Sequence, residues 1–554
     1  MSTSTRPDVG LNDARRLVDA ASAVMDAAIR HAAEITGGGR GIDEHQVHCE
    51  RVAYLATEVR AAAELVAYAE GLAARGRADA LATDMAVAYA AEVAHKLRTA
   101  VEAGLEDFGV PEALLAEHLG EPAVRAAVRA GLAEARLREI GRRVIEARGA
   151  NQTDLGDEMA ALTRQSVREF ARTEVAPLAQ EIHRKDLLVP DELIKKMAEL
   201  GFFGSSIPEE YGGSGMGNLT MIITTEELSA ASLAGAGSLI TRPEILAKAL
   251  LRGGTEEQKR EWLPKLASGE VLVGVAVTEP DVGSDVASVQ CRAEPAERNG
   301  RKGWVINGAK AWSTFSGRAN VLALLARTDP DPKSGARGLS LFIVPKEPFY
   351  GHEFQYTQPE GGTVTGTANP TPGYRGMHSF TLAFDNYFVP EENLVGREAG
   401  LNRGFYLQMA GFAAGRLQTG GRACGVAQAA LEKACAYVTG RVQFGRPVAE
   451  YQLTQYKIGR MATHLAAARQ LTYAAARLMD QDEERSLEPA QAKLLACDVA
   501  VWVTQEAQLL HGGWGYSEED PVARYVVDAL VLPIFEGVKP ILELRVVARG
   551  LLGR

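Results

Sequence analysis

The spacing of apolar positions changes three times along the chain. From residue 12 to about 150 they recur at helical intervals on an alanine-rich background, as in Arg51-Val-Ala-Tyr-Leu-Ala-Thr-Glu-Val59, with almost no strand signal. A polar stretch, Gly149-Ala-Asn-Gln-Thr-Asp-Leu-Gly156, interrupts this pattern, which resumes to about residue 269. Between about 271 and 390, short β-rich runs take over: Val271-Leu-Val-Gly-Val-Ala-Val277, Trp304-Val-Ile-Asn307, Val321-Leu-Ala-Leu-Leu-Ala326, Leu339-Ser-Leu-Phe-Ile-Val344 and Phe380-Thr-Leu-Ala-Phe384. From about 400 the period is helical again. Helices, then strands, then helices predict an α+β fold of segregated elements, not the alternation of a doubly wound sheet. The boundaries fall into an N-terminal helical domain (1–150), a second helical domain (151–270), a middle β-domain (271–395) and a C-terminal helical bundle (396–554). Within the β-domain, residues 347–376 form a Gly/Thr/Pro-rich stretch long enough to read as a lid or a surface excursion.

Composition narrows the class. At 554 residues the chain exceeds one compact domain, and 46% apolar content is enough for full cores. No run of eighteen apolar residues predicts a membrane span. The start, Met1-Ser-Thr-Ser-Thr-Arg-Pro-Asp8, lacks an apolar secretory core, so a cytoplasmic protein is expected. Five scattered cysteines without a Cys-x-x-Cys pair predict reduced thiols and no metal site. A net charge of -11 argues against nucleic acid as a partner. No Gly-x-Gly-x-x-Gly follows a strand, so a Rossmann-bound dinucleotide is not indicated.

Candidate chemistry is densest near the C-terminus, where Gln508-Leu-Leu-His-Gly512-Gly513-Trp514-Gly515-Tyr516 precedes Ile534-Phe535-Glu536-Gly537. A carboxylate between an aromatic and a glycine is a candidate general base placed where a ligand can approach the backbone. Each piece alone is weak, since Gly-Gly-x-Gly often marks only a turn and a lone Glu is usually a solvated charge. Further motifs stand upstream in order: Ile207-Pro-Glu-Glu-Tyr-Gly-Gly213, Val277-Thr278-Glu-Pro-Asp-Val-Gly283-Ser284-Asp285, Ile306-Asn-Gly-Ala-Lys-Ala-Trp312-Ser-Thr314, Arg441-Val-Gln-Phe444-Gly-Arg446 and Tyr451-Gln452. Over residues 155–554 this series resembles the acyl-CoA dehydrogenase flavoproteins.

The resemblance implies an acyl-CoA dehydrogenase fold that binds FAD and desaturates an acyl-CoA thioester between Cα and Cβ. Val277, Thr278, Gly283, Ser284, Trp312 and Thr314 would meet the flavin, with Trp312 and Thr314 expected two residues apart on one strand face. Arg441, Phe444 and Gln452 would reach the FAD of a neighbouring subunit, Gln508, Gly512 and Gly513 would also bind the cofactor, and Ser284, Arg416 and Gly537 the substrate. Glu536 is the implied base, because the family's other site for it, just before Arg416, holds Gly415. Electrons would pass to an electron-transferring flavoprotein. Two departures from the family pattern are Val538, where many relatives carry Thr, and Ala413, often Asp.

Residues 12–148 align without gaps on the C-terminal bundle at an offset of 406: Glu44-His-Gln-Val47 falls on Glu450-Tyr-Gln-Leu453, Gly109 on Gly515 and Gly131 on Gly537. This copy has lost the chemistry, with Ile35, Gly38 and Ala130 at the positions of Arg441, Phe444 and Glu536. It is expected to cover the surface through which family dimers pair into tetramers, leaving a homodimer. The extension and the Gly/Thr insertion resemble family members that convert (2S)-methylsuccinyl-CoA to mesaconyl-CoA in the ethylmalonyl-CoA pathway. Such a substrate ends in a carboxylate that needs a cationic partner; Arg242 is the first candidate and Arg375 the second. Another short or branched-chain dehydrogenase, or an acyl-CoA oxidase, would use the same residues. A non-catalytic acyl-CoA-binding scaffold would suit the degenerate copy but not the retained Glu536, Arg441, Trp312 and Ser284.

Overall fold

The computed structural model describes residues 9–152, 154–482 and 485–553. They form two compact units, Arg164–Gln418 and Met1–Thr163 with Thr419–Arg554, whose boundaries fall inside the Glu158–Phe170 and Gly404–Gly440 helices. None of the helices is long and apolar enough to cross a membrane, among the described residues.

In the first of these units, helices precede a sheet. The Glu256–Ala267 helix is capped by Thr255 and Gln258 reciprocally. The Gln258 amide also donates to the Glu392 and Leu394 carbonyls, at 2.8 and 2.7 Å, so one cap ties the helix to the far end of the sheet. The strands are β1 (Val273–Ala276), β2 (Arg292–Arg298), β3 (Arg301–Thr314), β4 (Val321–Arg327), β5 (Leu339–Pro345), β6 (Glu353–Thr357), β7 (Thr363–Ala368) and β8 (Ser379–Pro390). They hydrogen-bond in the order β1-β4-β2-β3-β8-β7-β6, and β5 pairs with β4 off this path. The pairs β1/β4 and β2/β4 are parallel, the rest antiparallel. The apolar runs of β4 and β5 are buried almost throughout, as expected of strands covered on both faces.

The 347–376 segment is neither a lid nor an irregular excursion. Its centre is the β6–β7 hairpin, which pairs with β8 and lengthens the sheet, and Phe354 and Val364 join the β-core. Alternation of Thr and small residues in Thr363-Val-Thr-Gly-Thr-Ala368 is the strand signal that its glycine content masks.

In the other unit the N-terminal helices pack on the C-terminal bundle. The 406-residue offset carries the Gln46–Ala74 helix onto Gln452–Gln481 and Ala80–Glu102 onto Leu487–His511. Buried alanines and glycines let these helices approach closely. Where Glu134–Glu146 crosses Gln452–Gln481, a Cβ on Gly141 would fall 1.7 Å from the Gln455 carbonyl oxygen. Polar bonds frame the contact. Glu92 accepts from Arg460 at 3.0 Å and meets His464 Nε2 at 3.1 Å, Tyr54 donates to Asp498 at 2.6 Å, and Arg545 bonds both oxygens of Asp43 at 2.8 Å. The polar stretch after Gly149 is no loose linker. Asn151 and Gln152 are buried, and the Arg469 guanidinium donates to Asn151 and Gln428 at 2.9 and 2.7 Å.

Candidate active site

The loop after β1 is shaped by a buried ion pair. Lys310, fully buried on β3, donates to the Val277 carbonyl at 3.0 Å and to Glu279 Oε1 at 2.9 Å. Glu279 also accepts from the backbone N–H groups of Gln290 and Cys291, both at 2.8 Å. A carboxylate this deep is tolerable only with such a full set of donors. The clamp holds Thr278 at the sheet edge, where its carbonyl accepts from the Ala311 N–H at 2.8 Å. A turn closed by Glu279 and Val282 then presents Gly283 and Ser284 to solvent.

β3 does not alternate regularly through this region. Its pairing with β8 slips between Lys310 and Ser313, and Trp312 takes φ 54°. The expectation that Trp312 and Thr314 share one strand face therefore fails: the bulge turns Trp312 outward, 59% exposed, while Thr314 is buried with its hydroxyl 2.9 Å from that of Ser379. An indole so exposed beside loop donors is a flat wall for a ring system. Glu279 and Lys310 were missed from sequence because their burial and mutual pairing come from contacts between positions far apart in the chain.

The same unit holds the acyl-side candidates. Arg242 is buried in the first turn of the Thr241–Gly253 helix. Its neighbour Thr241 donates a hydroxyl bond to Gln418 Oε1, and the Nε2 of that buried Gln418 has no partner. Arg416, two residues before it on the same helix, is half-buried. Arg375 is placed differently, donating to the carbonyls of Thr371 and His183 at 3.0 and 3.1 Å and lying 3.7 Å from Asp186.

In the bundle unit, Glu536 is half-buried in a turn closed by the Lys539 N–H on the Pro533 carbonyl at 2.9 Å. It holds φ 56°, and Gly537 after it φ 97°, a left-handed pair that aims the carboxylate at some conformational cost. Two buried cations fix the turn from below: Lys493 donates to the Gly537 carbonyl at 2.6 Å, and the Arg422 guanidinium lies 4.8 Å from the centre of the Phe535 ring. Neither cation was anticipated, since each sits mid-helix in an apolar pattern.

Arg441, Gly512 and Gly513 come together in a cavity of about 620 Å³, also lined by Tyr437, Leu509 and His511. A Cβ at either glycine would meet nothing within 4 Å, so the backbone is open to a bulky group. Gln508 reaches the adjacent turn, donating to the Gly515 carbonyl at 3.0 Å. Phe444 is 96% exposed at the tip of a hairpin, β9 (Val442–Gln443) and β10 (Arg446–Pro447), whose central residues Phe444 and Gly445 have φ 51° and 84°. Gln452 is exposed at the start of the following helix.

The residues present have the chemistry a flavin dinucleotide needs: one unit offers an exposed indole with nearby hydroxyl and amide donors, and the other an arginine-lined cavity with bare backbone. Three family models match in series: the acyl-CoA dehydrogenase N-terminal domain over 157–270, middle domain over 274–387 and C-terminal domain over 402–552. A (2S)-methylsuccinyl-CoA dehydrogenase from Cereibacter sphaeroides is 37% identical over 98% of this chain and 97% of its own. Butyryl-CoA dehydrogenase from Megasphaera elsdenii is 32% identical with TM-score 0.65, over 72% of this chain and 98% of its own. A glutaryl-CoA dehydrogenase from Mycobacterium smegmatis in complex with FADH2 is 26% identical with TM-score 0.62, over 72% and 95%. With the three family domains matched in series, the chain belongs to the acyl-CoA dehydrogenases, FAD-dependent oxidoreductases.

Proposed function

We propose that the acyl group is (2S)-methylsuccinyl and the product mesaconyl-CoA. The observation that carries this reading is the buried polar end of the Thr241–Gly253 helix: Arg242 is buried there, and the adjacent Thr241 hydroxyl bonds Gln418, a buried amide whose Nε2 has no partner. A buried donor without a partner costs about 1–3 kcal/mol, and a carboxylate arriving there would satisfy it and face a guanidinium at once. Straight apolar acyl chains offer neither. Likeness to the Cereibacter protein over 98% of the chain, extension included, supports the same substrate.

In this reading Glu536 removes the α-proton. The left-handed turn holds its carboxylate in place, and its backbone N–H polarises the thioester oxygen so that negative charge developing there is stabilised. FAD, when bound, accepts the β-hydrogen as hydride. Ser284 and Arg416 hold the CoA thioester, Trp312 walls the ring, and Arg441 with Gly512 and Gly513 receives a partner subunit's pyrophosphate. Residues 1–150 act as a degenerate bundle copy that caps the C-terminal bundle, leaving a homodimer that passes electrons to an electron-transferring flavoprotein.

Anaerobic mixing of the FAD-loaded protein with a panel of acyl-CoAs tests the substrate. Methylsuccinyl-CoA should bleach the flavin fastest; faster bleaching by butyryl-CoA or isobutyryl-CoA would refute the assignment.

A further inference from the structure

The β6–β7 insertion meets the helical part of its own unit at a cluster that the chemistry above does not use. Asp186, His352 and His378 direct one ligand atom each into a common space, all within 4.8 Å of one another. His378 Nε2 lies 3.0 Å from Asp186 Oδ1, and His352 Nε2 lies 3.9 Å from Asp186 Oδ2, so the two imidazoles address different oxygens of one carboxylate. Their rings approach to 4.4 Å between centroids. His378 is buried.

The three residues come from separate elements. Asp186 ends the Ala176–Lys185 helix in the left-handed conformation, with φ 54°. His352 opens the inserted hairpin, where its carbonyl accepts from the Ala368 N–H at 2.7 Å, and His378 immediately precedes β8, also left-handed at φ 55°. Separations in sequence of this size leave no contiguous metal motif, which is why cysteine and histidine spacing gave no sign of it.

We propose that Asp186, His352 and His378 bind one divalent transition-metal ion, zinc foremost, which staples the inserted hairpin to the helix end. Two imidazoles and one carboxylate are a recurrent zinc donor set, leaving a fourth position for water. Ligands at about 2.0–2.1 Å in a tetrahedron are about 3.3–3.4 Å apart; His378 Nε2 lies 3.0 Å from one Asp186 oxygen and His352 Nε2 3.9 Å from the other, and the three ligand atoms all lie within 4.8 Å of one another. Side-chain rotation of the exposed His352 supplies the remaining contraction. Arg375 is the opposing element, with its Nε 3.7 Å from Asp186. Its bonds to the Thr371 and His183 carbonyls hold it beside the cluster, and its charge limits affinity without occupying the ligand space.

The test uses tag-free, FAD-loaded protein stripped with chelator and titrated with ZnCl2 by calorimetry. One Zn2+ per chain is expected, weakened at least ~10-fold in His352→Gln and in Asp186→Asn while the flavin spectrum is unchanged. Hydrogen exchange supplies a second readout: zinc should slow the β6–β7 amides in the wild type and not in His352→Gln, a substitution at an exposed position. No saturable binding by the wild type, or equal binding by both variants, overturns the proposal.

Discussion

Gly141 and Gly459 face each other where the extension crosses the C-terminal bundle: a Cβ on Gly459 would lie 2.0 Å from the Leu137 carbonyl, and one on Gly141 1.7 Å from that of Gln455. Both helices run backbone against backbone at this point, and no side chain can be inserted without separating them. Gly459→Leu should lower stability by on the order of 3 kcal/mol or more and sensitise the 149–156 stretch to protease. Gly440→Ala, whose Cβ meets nothing within 4 Å, should be neutral or slightly stabilising. Equal melting temperatures for the two variants would show that the crossing does not hold the extension down.

In the proposed reading the same crossing keeps the chain a homodimer. Removing residues 1–150 should uncover the Gln452–Gln481 face and turn a dimer into tetramers or aggregates. Light scattering that finds the intact chain already tetrameric would dispose of the capping role.

Acid should loosen this contact. Burial alone would push the Glu92 carboxyl up, but the His464 hydrogen bond and the Arg460 charge outweigh it and hold the group at about 2, below its usual 4.5. The unfolded chain then takes up a proton near 4.5 that the folded chain refuses until about 2, so the unfolded state binds more protons in that window. The contribution, up to about 3 kcal/mol, is present above pH 4.5 and lost as pH falls toward 2. Glu92→Gln should flatten this part of the acid-unfolding curve; an unchanged slope would remove the assignment.

Catalysis should fail selectively in Glu536→Gln. The amide keeps the shape and the left-handed turn but cannot accept a proton, so desaturation should drop by about 10²–10⁴ or more while FAD and CoA-ester binding persist. Turnover near that of the wild type would rule out Glu536 as base.

Substrate charge should be read by Arg242. Arg242→Ala is expected to cost about 2–5 kcal/mol in kcat/KM for methylsuccinyl-CoA and much less for an uncharged branched acyl-CoA. Equal losses would mean that the arginine only supports the helix end.

The order of helical and stranded segments, and the five runs that became β1, β3, β4, β5 and β8, were legible because each keeps one apolar period over its length. β2 was not: Arg292-Ala-Glu-Pro-Ala-Glu-Arg298 is mostly polar with a proline, and it is a strand because β3 pairs with it, not because of its own pattern. The ligand-facing positions could be named from motifs, but their geometry could not. The Trp312 bulge breaks the alternation on which a face assignment depends, and the supports behind the site, Lys310, Glu279, Lys493 and Arg422, are charges whose burial comes from long-range contacts. Asn151 and Gln152 read as linker for the same reason, since Arg469 and Gln428, which bond this stretch, lie far along the chain.

The bulge in β3 also constrains how this chain can change length. Between Lys310 and Ser313 the ladder with β8 absorbs a register slip, so residues on its two sides are counted from different origins. Deleting a single residue there would let the ladder run straight, with Lys310 and Ser313 still paired to Leu382 and Phe380 and so still facing the same way. What would be lost is the left-handed turn at Trp312 that carries its indole outward. The hairpin 353–368 shows that whole pairs of strands can be added at the edge of this sheet, whereas the outward indole depends on one extra residue within it.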